Sequence, residues 1–435
     1  MSMRHRWFVV AIFFAFMLLH QSDKLLIGPL TTPIMETFGI NEVQMGAVFT
    51  GAIVVASVLY PLWGYLYDRY GRAKLLALAS CIWGATTWLS ALAPTYPAFV
   101  ATRASTGIDD SSYPGLYSLI ADYFGPQMRG KIYGLLQLTA PLGYLVGTML
   151  ALGLRDFIGW RGVFYITGSL GLAVAILILL GVREVPRGRS EPELAGLEQI
   201  GVYRFDRAAA LSLFRKPTLL FLFAQGFFGV FPWNVIQSWF FRYLETERAY
   251  ATSEVLITMV IAVLTLAVGY FVGGALGDAL FRRYRRGRLL LAMTAVLLGA
   301  GFLYLALQTP LASRGQFLML LALTAFFMPF AAPNVVSSIY DVTPPEVRST
   351  ALAVQYFIEQ SGSATAPLLA GIIAVRSSLG NAILLICVTA WLLCSFLFAF
   401  AAYAAPRDIE ALRHLMRVRA ERERALQWAS AGGSQ

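Results

Sequence analysis

Charged side chains are scarce. Asp, Glu, Lys and Arg make up 13% of the 435 residues, where a soluble chain carries roughly 25%. That shortage excludes an ordinary water-soluble domain. There are three cysteines, Cys81, Cys387 and Cys394, each inside an apolar stretch. Neither a disulfide framework nor a metal site is expected from them. No glycine-rich phosphate loop ending in Lys-Ser/Thr is present, which argues against ATP-driven chemistry. A nucleophile elbow and His-rich metal spacing are also missing, so no enzyme activity and no cofactor are expected.

Apolar residues are abundant, at 58%. They fall into successive runs, each long enough to cross a bilayer: 7–29, 44–66, 74–93, 97–122, 129–153, 160–182, 217–243, 254–278, 288–308, 314–340, 349–375 and 380–404. The first run is long for a signal peptide and lacks a small-residue cleavage site, so it is kept as a helix. An all-α membrane protein with twelve transmembrane helices follows. The organisation reads as a six-helix bundle over 1–182, a polar linker over 183–216, a second six-helix bundle over 217–404 and a basic tail over 405–435.

The two bundles repeat one another. Asp122-Tyr-Phe-Gly-Pro126-Gln-Met-Arg129 recurs as Asp341-Val-Thr-Pro-Pro345-Glu-Val-Arg348. Thr139-Ala-Pro141 recurs as Thr365-Ala-Pro367, and Gly64-Tyr-Leu-Tyr-Asp68 has a weaker echo in Gly274-Ala-Leu-Gly-Asp278, followed by Arg282-Arg283. Like halves in an apolar chain imply a pseudo-symmetric device that rocks one half against the other. The net charge of +10 does not point to nucleic acid. Most Lys and Arg sit in the even-numbered connections and at the termini, which places both termini in the cytoplasm of a multi-pass inner (plasma) membrane protein. The tail, with Arg413, Arg417 and Arg424 beside Ile409, Leu412 and Met416, reads either as a helix on the inner membrane face, held by anionic lipid, or as a plain solvated helix.

The segment Gly64–Lys74 resembles the signature loop of the major facilitator superfamily, Gly-x-Leu-x-Asp-Arg-x-Gly-Arg-x-Lys. Within that superfamily the chain resembles the spinster group. Asp23-Lys24 in the first span, Arg103 followed by Asp110-Ser-Ser-Tyr113 in the fourth, Leu119-Ile-Ala-Asp122 and Arg183-Glu-Val-Pro-Arg-Gly carry the likeness. Two positions depart from it: Lys24 stands where that group has Arg, and Asp110 where it has Glu. The organic-anion symporters share the first span and the loop. The spinster resemblance implies a secondary transporter of a lysophospholipid or sphingoid-type lipid. The other implies a proton-coupled symporter of small carboxylates held by Arg103 or Lys24.

Ionisable residues inside spans are expensive and suggest function. Asp23, Arg103 and Asp110 are the candidates for proton coupling: a carboxylate that loses its arginine as the cavity dries takes up a proton. Arg103 and Asp110 are spaced to share one helix face, and Asp109 points elsewhere. The alternative is a permanently paired structural cluster. Candidate substrate contacts are Lys24, Tyr113, Phe228, Trp233, Asn234, Gln237, Phe330, Asn334 and Glu359, a mixture of aromatics and polar groups suited to an amphipathic ligand. His20 is read as a hydrogen-bonded neighbour that can titrate near neutrality. The resemblance makes Gly64, Asp68, Arg69, Gly71, Arg72 and Asp278 a conformational latch between the halves. The expected partners are protons, the substrate and membrane lipid, with a monomer as the working unit.

Overall fold

The computed structural model describes residues 3–40, 42–110, 112–194, 207–363 and 366–432. Residues 195–206 of the linker and Thr365 of the repeated Thr-Ala-Pro lie outside them. The described residues are helical with no strand. This is the form a lipid-embedded chain takes, because helices satisfy their own backbone polar groups.

Nine helices among the described residues are long and apolar enough to span a membrane. They are α1 (Met3–Leu25), α3 (Arg72–Leu92), α5 (Pro126–Ala151), α6 (Gly153–Gly181), α7 (Pro217–Gln237), α8 (Ser253–Arg283), α9 (Gly287–Leu307), α10 (Arg314–Val342) and α12 (Leu379–Ala425). Three more rods complete twelve. One is α2 (Glu42–Arg69). Another is α4, which runs in three pieces, Tyr96–Ser105, Gly107–Asp110 and Tyr113–Tyr123. The last is α11, in two pieces, Arg348–Ser363 and Ala366–Arg376.

The breaks have local causes. Gly159 turns the chain between α5 and α6 with φ 68°, a left-handed value that suits glycine. In α4 the break is flanked by Gly107 and Pro114. A Cβ on Gly107 would come within 2.2 Å of the Ala52 carbonyl oxygen on α2, so the chain there is pressed against its neighbour.

The tail differs from both readings of the sequence. It is not a separate surface helix; α12 continues through Pro406 into it without interruption. Leu412, Met416 and Ala420 are buried against Leu194 of the linker. The apolar stripe that suggested lipid is covered by protein instead.

The halves meet along two seams, α2 with α11 and α5 with α8. Glycines set the approach distance. A Cβ on Gly64 would lie 2.6 Å from the Ala353 Cβ, and one on Gly274 would lie 2.1 Å from the Gly130 carbonyl oxygen. Inward of the seams, tyrosines fill the gap: Tyr60 lies 5.5 Å from Tyr356 and Tyr133 lies 5.9 Å from Tyr340 between ring centroids. Tyr340 also donates to the Pro114 carbonyl across the halves at 3.3 Å. The seam contacts gather at the end of the bundle that carries the linker.

Gly274→Val should hold that end apart, since overpacking costs about 1–3 kcal/mol. Spin labels on Gln127→Cys and Arg282→Cys, in a Cys81→Ser background, should report longer distances than in the parent protein. An unchanged distribution would show that backbone contact does not limit closure.

Candidate functional site

Two aspartates bind across the seams at the linker end. Asp68, at the end of α2, accepts hydrogen bonds from the backbone N–H groups of Ser349 (3.1 Å) and Thr350 (2.6 Å) at the start of α11. Asp278 on α8 accepts from Gly130 (3.0 Å) and Lys131 (2.7 Å) on α5. Each carboxylate meets the N-terminal part of a helix of the opposite half, where the backbone dipoles favour negative charge. The two contacts are mates under the pseudo-twofold relation of the halves. Both carboxylates are almost fully buried.

The latch also differs from the expectation in membership. Arg69 is turned out to Tyr65 and stays exposed. Gly71 has φ −67° and ψ 118°, ordinary extended values, so no glycine-specific turn exists there. Arg72 joins its own half rather than the other: it bonds Asp122, the Val185 carbonyl and Glu184. Its counterpart in the second half is Arg288, not the Arg282-Arg283 pair. Arg288 bonds Asp341 and Asp278 and reaches the Pro126 carbonyl across the seam.

The repeated Asp-x3-Pro-x2-Arg motif supplies the rest. Arg129 and Arg348, one per half, both bond the carboxylate of Glu191 in the linker. Arg413 from the tail binds the same carboxylate at 2.6 Å. Arg348 and Asp122 approach across the halves to 3.6 Å. Burial pushes the Glu191 carboxyl up, but Arg348, Arg129 and Arg413 outweigh it and hold it well below the usual carboxylate range. A carboxyl depressed in this way contributes to closure at every pH above its ordinary value. The contribution fades only as pH falls through the depressed value. Glu191 and Arg413 were not among the sequence candidates. The motif repeat marked Asp122, Arg129, Asp341 and Arg348 without saying what they hold.

A second polar group lies within the first half. Asp23 on α1 is 2% exposed. It accepts from Thr87 on α3 (3.0 Å) and Thr167 on α6 (2.5 Å), and the Arg103 guanidinium stands 3.9 Å away. Arg103 is further placed over the Phe164 ring at 5.3 Å. Asp110 does not join Arg103. Because α4 breaks between them, Asp110 turns to Lys24 at 2.6 Å, and the Lys24 side chain remains 41% exposed. Asp109 faces His20 on α1 at 2.6 Å. Tyr113, 8% exposed, places its hydroxyl 2.5 Å from His20 Nδ1 and 3.0 Å from Gln21 Nε2.

The substrate candidates scatter. Trp233 and Gln237 are exposed on α7, and Asn234 accepts a bond from Ser363 on α11 at 3.0 Å. Phe228 is half-buried against Phe227 and Phe231. Glu359 accepts from Gln355 at 2.8 Å, and among the described residues no cation lies within 4.0 Å of it. Phe330 and Asn334 are not open to a ligand. Both are buried in the α8–α10 contact, where Asn334 donates to the carbonyls of Gly273 and Phe330. Beside the α5–α8 seam lies an apolar groove of about 480 Å³, lined by Leu135, Leu138, Leu142, Leu264, Ala267, Val268 and Phe271.

Glu191→Gln should open the linker end, because removing one partner of a buried ion cluster leaves the others unpaired at a cost of about 3–5 kcal/mol. Asp68→Asn should act in the same direction and more weakly, since it keeps the shape and loses the charge. Accessibility of a cysteine placed at Tyr340 to a water-soluble maleimide reads the opening. Equal labelling in parent and variants would reduce the network to packing.

Comparison with known proteins agrees with this architecture. The family model of the Major Facilitator Superfamily matches residues 12–312 and 253–430. The chain is 27% identical over 389 residues to "Protein spinster homolog 1" of Homo sapiens, covering 85% of this chain and 73% of that one. It is 32% identical over 193 residues to "Protein spinster" of Drosophila melanogaster, a match that spans 43% of this chain and 31% of the fly protein. It is also 26% identical over 371 residues to "Probable sulfoacetate transporter SauU" of Cupriavidus necator, covering 79% and 85%. A solved bacterial homologue of the human lysosomal transporter Spinster, inward-facing and occupied, superposes with a TM-score of 0.58 at 19% identity, over 95% of this chain and 98% of that one. The protein belongs to the major facilitator superfamily, a family of transporters rather than enzymes, and is related both to the spinster proteins and to organic-anion transporters.

Proposed function

We propose that the protein moves an amphipathic lipid, of lysophospholipid or sphingoid type, across its membrane by alternating access, and that protons drive the cycle through Asp23, Arg103 and Asp110. The linker end is the cytoplasmic end in this reading, so the structure represents the state closed to the cytoplasm. The observation that carries the substrate class is the wholly apolar groove beside the α5–α8 seam. An acyl chain can leave the bilayer sideways there while its headgroup meets the polar residues of α1, α4 and α11. Lys24, Tyr113, Trp233 and Glu359 are the proposed contacts.

Proton coupling is supported by the environment of Asp23. Two threonine hydroxyls and one loosely placed guanidinium hold its charge in a dry site. A small shift of α4 removes the arginine, and an isolated buried carboxylate then binds a proton to avoid an unpaired charge. The Lys24–Asp110 pair, at the exposed side of the same helices, answers to the arriving headgroup. One observation favours a second reading, a small organic anion: the Lys24 side chain is two-fifths exposed, so a carboxylate or sulfonate can compete with Asp110 for its ammonium.

Asp23→Asn should abolish pH-gradient-driven uptake in proteoliposomes while the protein still folds, because the amide fills the same space and exchanges no proton. Accumulation at the parental rate would remove Asp23 from the mechanism. The substrate class is read from dissociation constants along a series of lysophosphatidylglycerols. Affinity should rise with chain length, each buried CH₂ contributing about 0.8 kcal/mol, and Trp233→Ser should weaken the long chains most. A flat series, with sulfoacetate binding lost in Lys24→Gln, would establish the organic-anion reading instead.

A further inference from the structure

Two rungs join α1 to α4, one turn apart. The outer rung is Lys24–Asp110 and is partly exposed. The inner rung is His20–Asp109, with side chains 4% and 1% exposed. The proton-coupling reading above uses neither member of the inner rung. We propose that His20 and Asp109 form a single proton-binding pair, loaded through the Tyr113 hydroxyl and emptied when α4 rearranges at its breaks; this rests on the reading that transport is proton-coupled.

The geometry supports a site that holds either of two charge states with no movement beyond rotation of the Tyr113 hydroxyl. His20 uses both ring nitrogens, Nε2 to Asp109 at 2.6 Å and Nδ1 to the Tyr113 hydroxyl at 2.5 Å. With a neutral ring, Nε2–H donates to the carboxylate and Nδ1 accepts from the tyrosine O–H. With an added proton on Nδ1, the ring donates both ways and the tyrosine oxygen becomes the acceptor. Gln21 already donates to that same oxygen at 3.0 Å, so the oxygen has a partner in both states. The bound proton takes the pair from a net charge of −1 to 0. No other group is consumed.

The burial makes the empty state expensive. Among the described residues, the second oxygen of Asp109, Oδ1, is buried and has no hydrogen-bond partner. A buried carboxylate so exposed to apolar surroundings gains from a neighbouring cation or from a proton. Imidazole is the side chain that changes charge near neutral pH without unusual surroundings. Among the described residues, the charged and titratable groups acting on the pair are Lys24 from α1, Arg103, Asp110 and Tyr113 from α4, and Tyr67 from α2. Trp83 on α3 meets the His20 ring edge to face at 5.4 Å. Gln21, beside the Tyr113 hydroxyl, is half-buried. On α4, Asp109 belongs to the short piece Gly107–Asp110, bounded by breaks on both sides. Movement of that piece separates Asp109 from His20 and expels the proton.

The test uses the full-length protein in lipid nanodiscs, where three histidines are present. In a His5→Gln, His414→Gln background, ¹⁵N imidazole NMR follows His20 alone. Its signal should change charge state between about pH 5 and 8. In Asp109→Asn the midpoint should fall by about one pH unit or more, because the anion that favours the protonated ring is gone. A midpoint that ignores Asp109→Asn, or a ring fixed in one state over the range, overturns the proposal. The flux arm measures pH-gradient-driven accumulation of lysophosphatidylglycerol and of sulfoacetate, each against its own unforced exchange. His20→Gln and Asp109→Asn should each lower accumulation relative to exchange by about tenfold, the equivalent of 1.4 kcal/mol. Where Asp109→Asn fails to fold, Tyr113→Phe takes its place; it removes the relay hydroxyl and should lower accumulation relative to its own unforced exchange, a ratio that a lost substrate contact leaves unchanged. Parental accumulation in these variants, with the parent responding to the gradient, sinks the pair alone. A parent indifferent to the gradient with both probes sinks the coupling reading beneath it.

Discussion

The structure depends on carboxylates of one half reaching backbone N–H groups of the other. Asp68 and Asp278 do so at mated positions, and both seams close only because Gly64 and Gly274 let the helices approach. A hydrogen bond to a helix N-terminus suits a part that must open and close. It needs no long side chain from the partner and so costs little rotamer entropy. It also has a single geometry, so the closed state is discrete rather than graded.

The arginine–carboxylate network around Glu191 serves a different end. Buried ion clusters add little net stability, yet they are costly to break one member at a time. Arg129 and Arg348 come from opposite halves and converge on a residue that belongs to neither bundle. The tail adds Arg413 to the same carboxylate, and bonds Glu346 through Arg419 at 2.5 and 3.0 Å. Linker and tail thereby join the contacts that hold this end of the two halves together. Separating the halves requires Glu191 to release at least one arginine, which makes opening cooperative.

Within the first half, charge is arranged by depth. Lys24 and Asp110 lie at the exposed edge, His20 and Asp109 one turn deeper, and Asp23 with Arg103 on the far side of the break in α4. All three pairs join α1 to α4, on two different pieces of α4. An interrupted helix is tolerated in a membrane where neighbours or cavity water satisfy the freed carbonyls. Here it also lets one helix present Arg103, Asp109 and Asp110 in directions that an unbroken helix would not allow.

Much of the fold was legible without coordinates. Apolar runs of bilayer length, the linker and the repeated Asp-x3-Pro-x2-Arg all follow from local composition and spacing, and local composition decides membrane insertion. Asp68 and Asp278 stand out in the sequence for the same reason, since a short motif at a helix end is a local signal; their backbone N–H partners in the opposite half do not. Partners were not. A straight-helix reading put Arg103 with Asp110, whereas the break in α4 gives Arg103 to Asp23 and Asp110 to Lys24. Phe330 and Asn334 read as cavity residues, and the α8–α10 packing buries them. The tail's apolar stripe read as lipid-facing or idle, and Leu194 covers it. In each case the deciding contact joins residues far apart in the chain. Helical periodicity says which side of a helix is apolar, and only the packing of all twelve says whether that side meets lipid, protein or an open cavity.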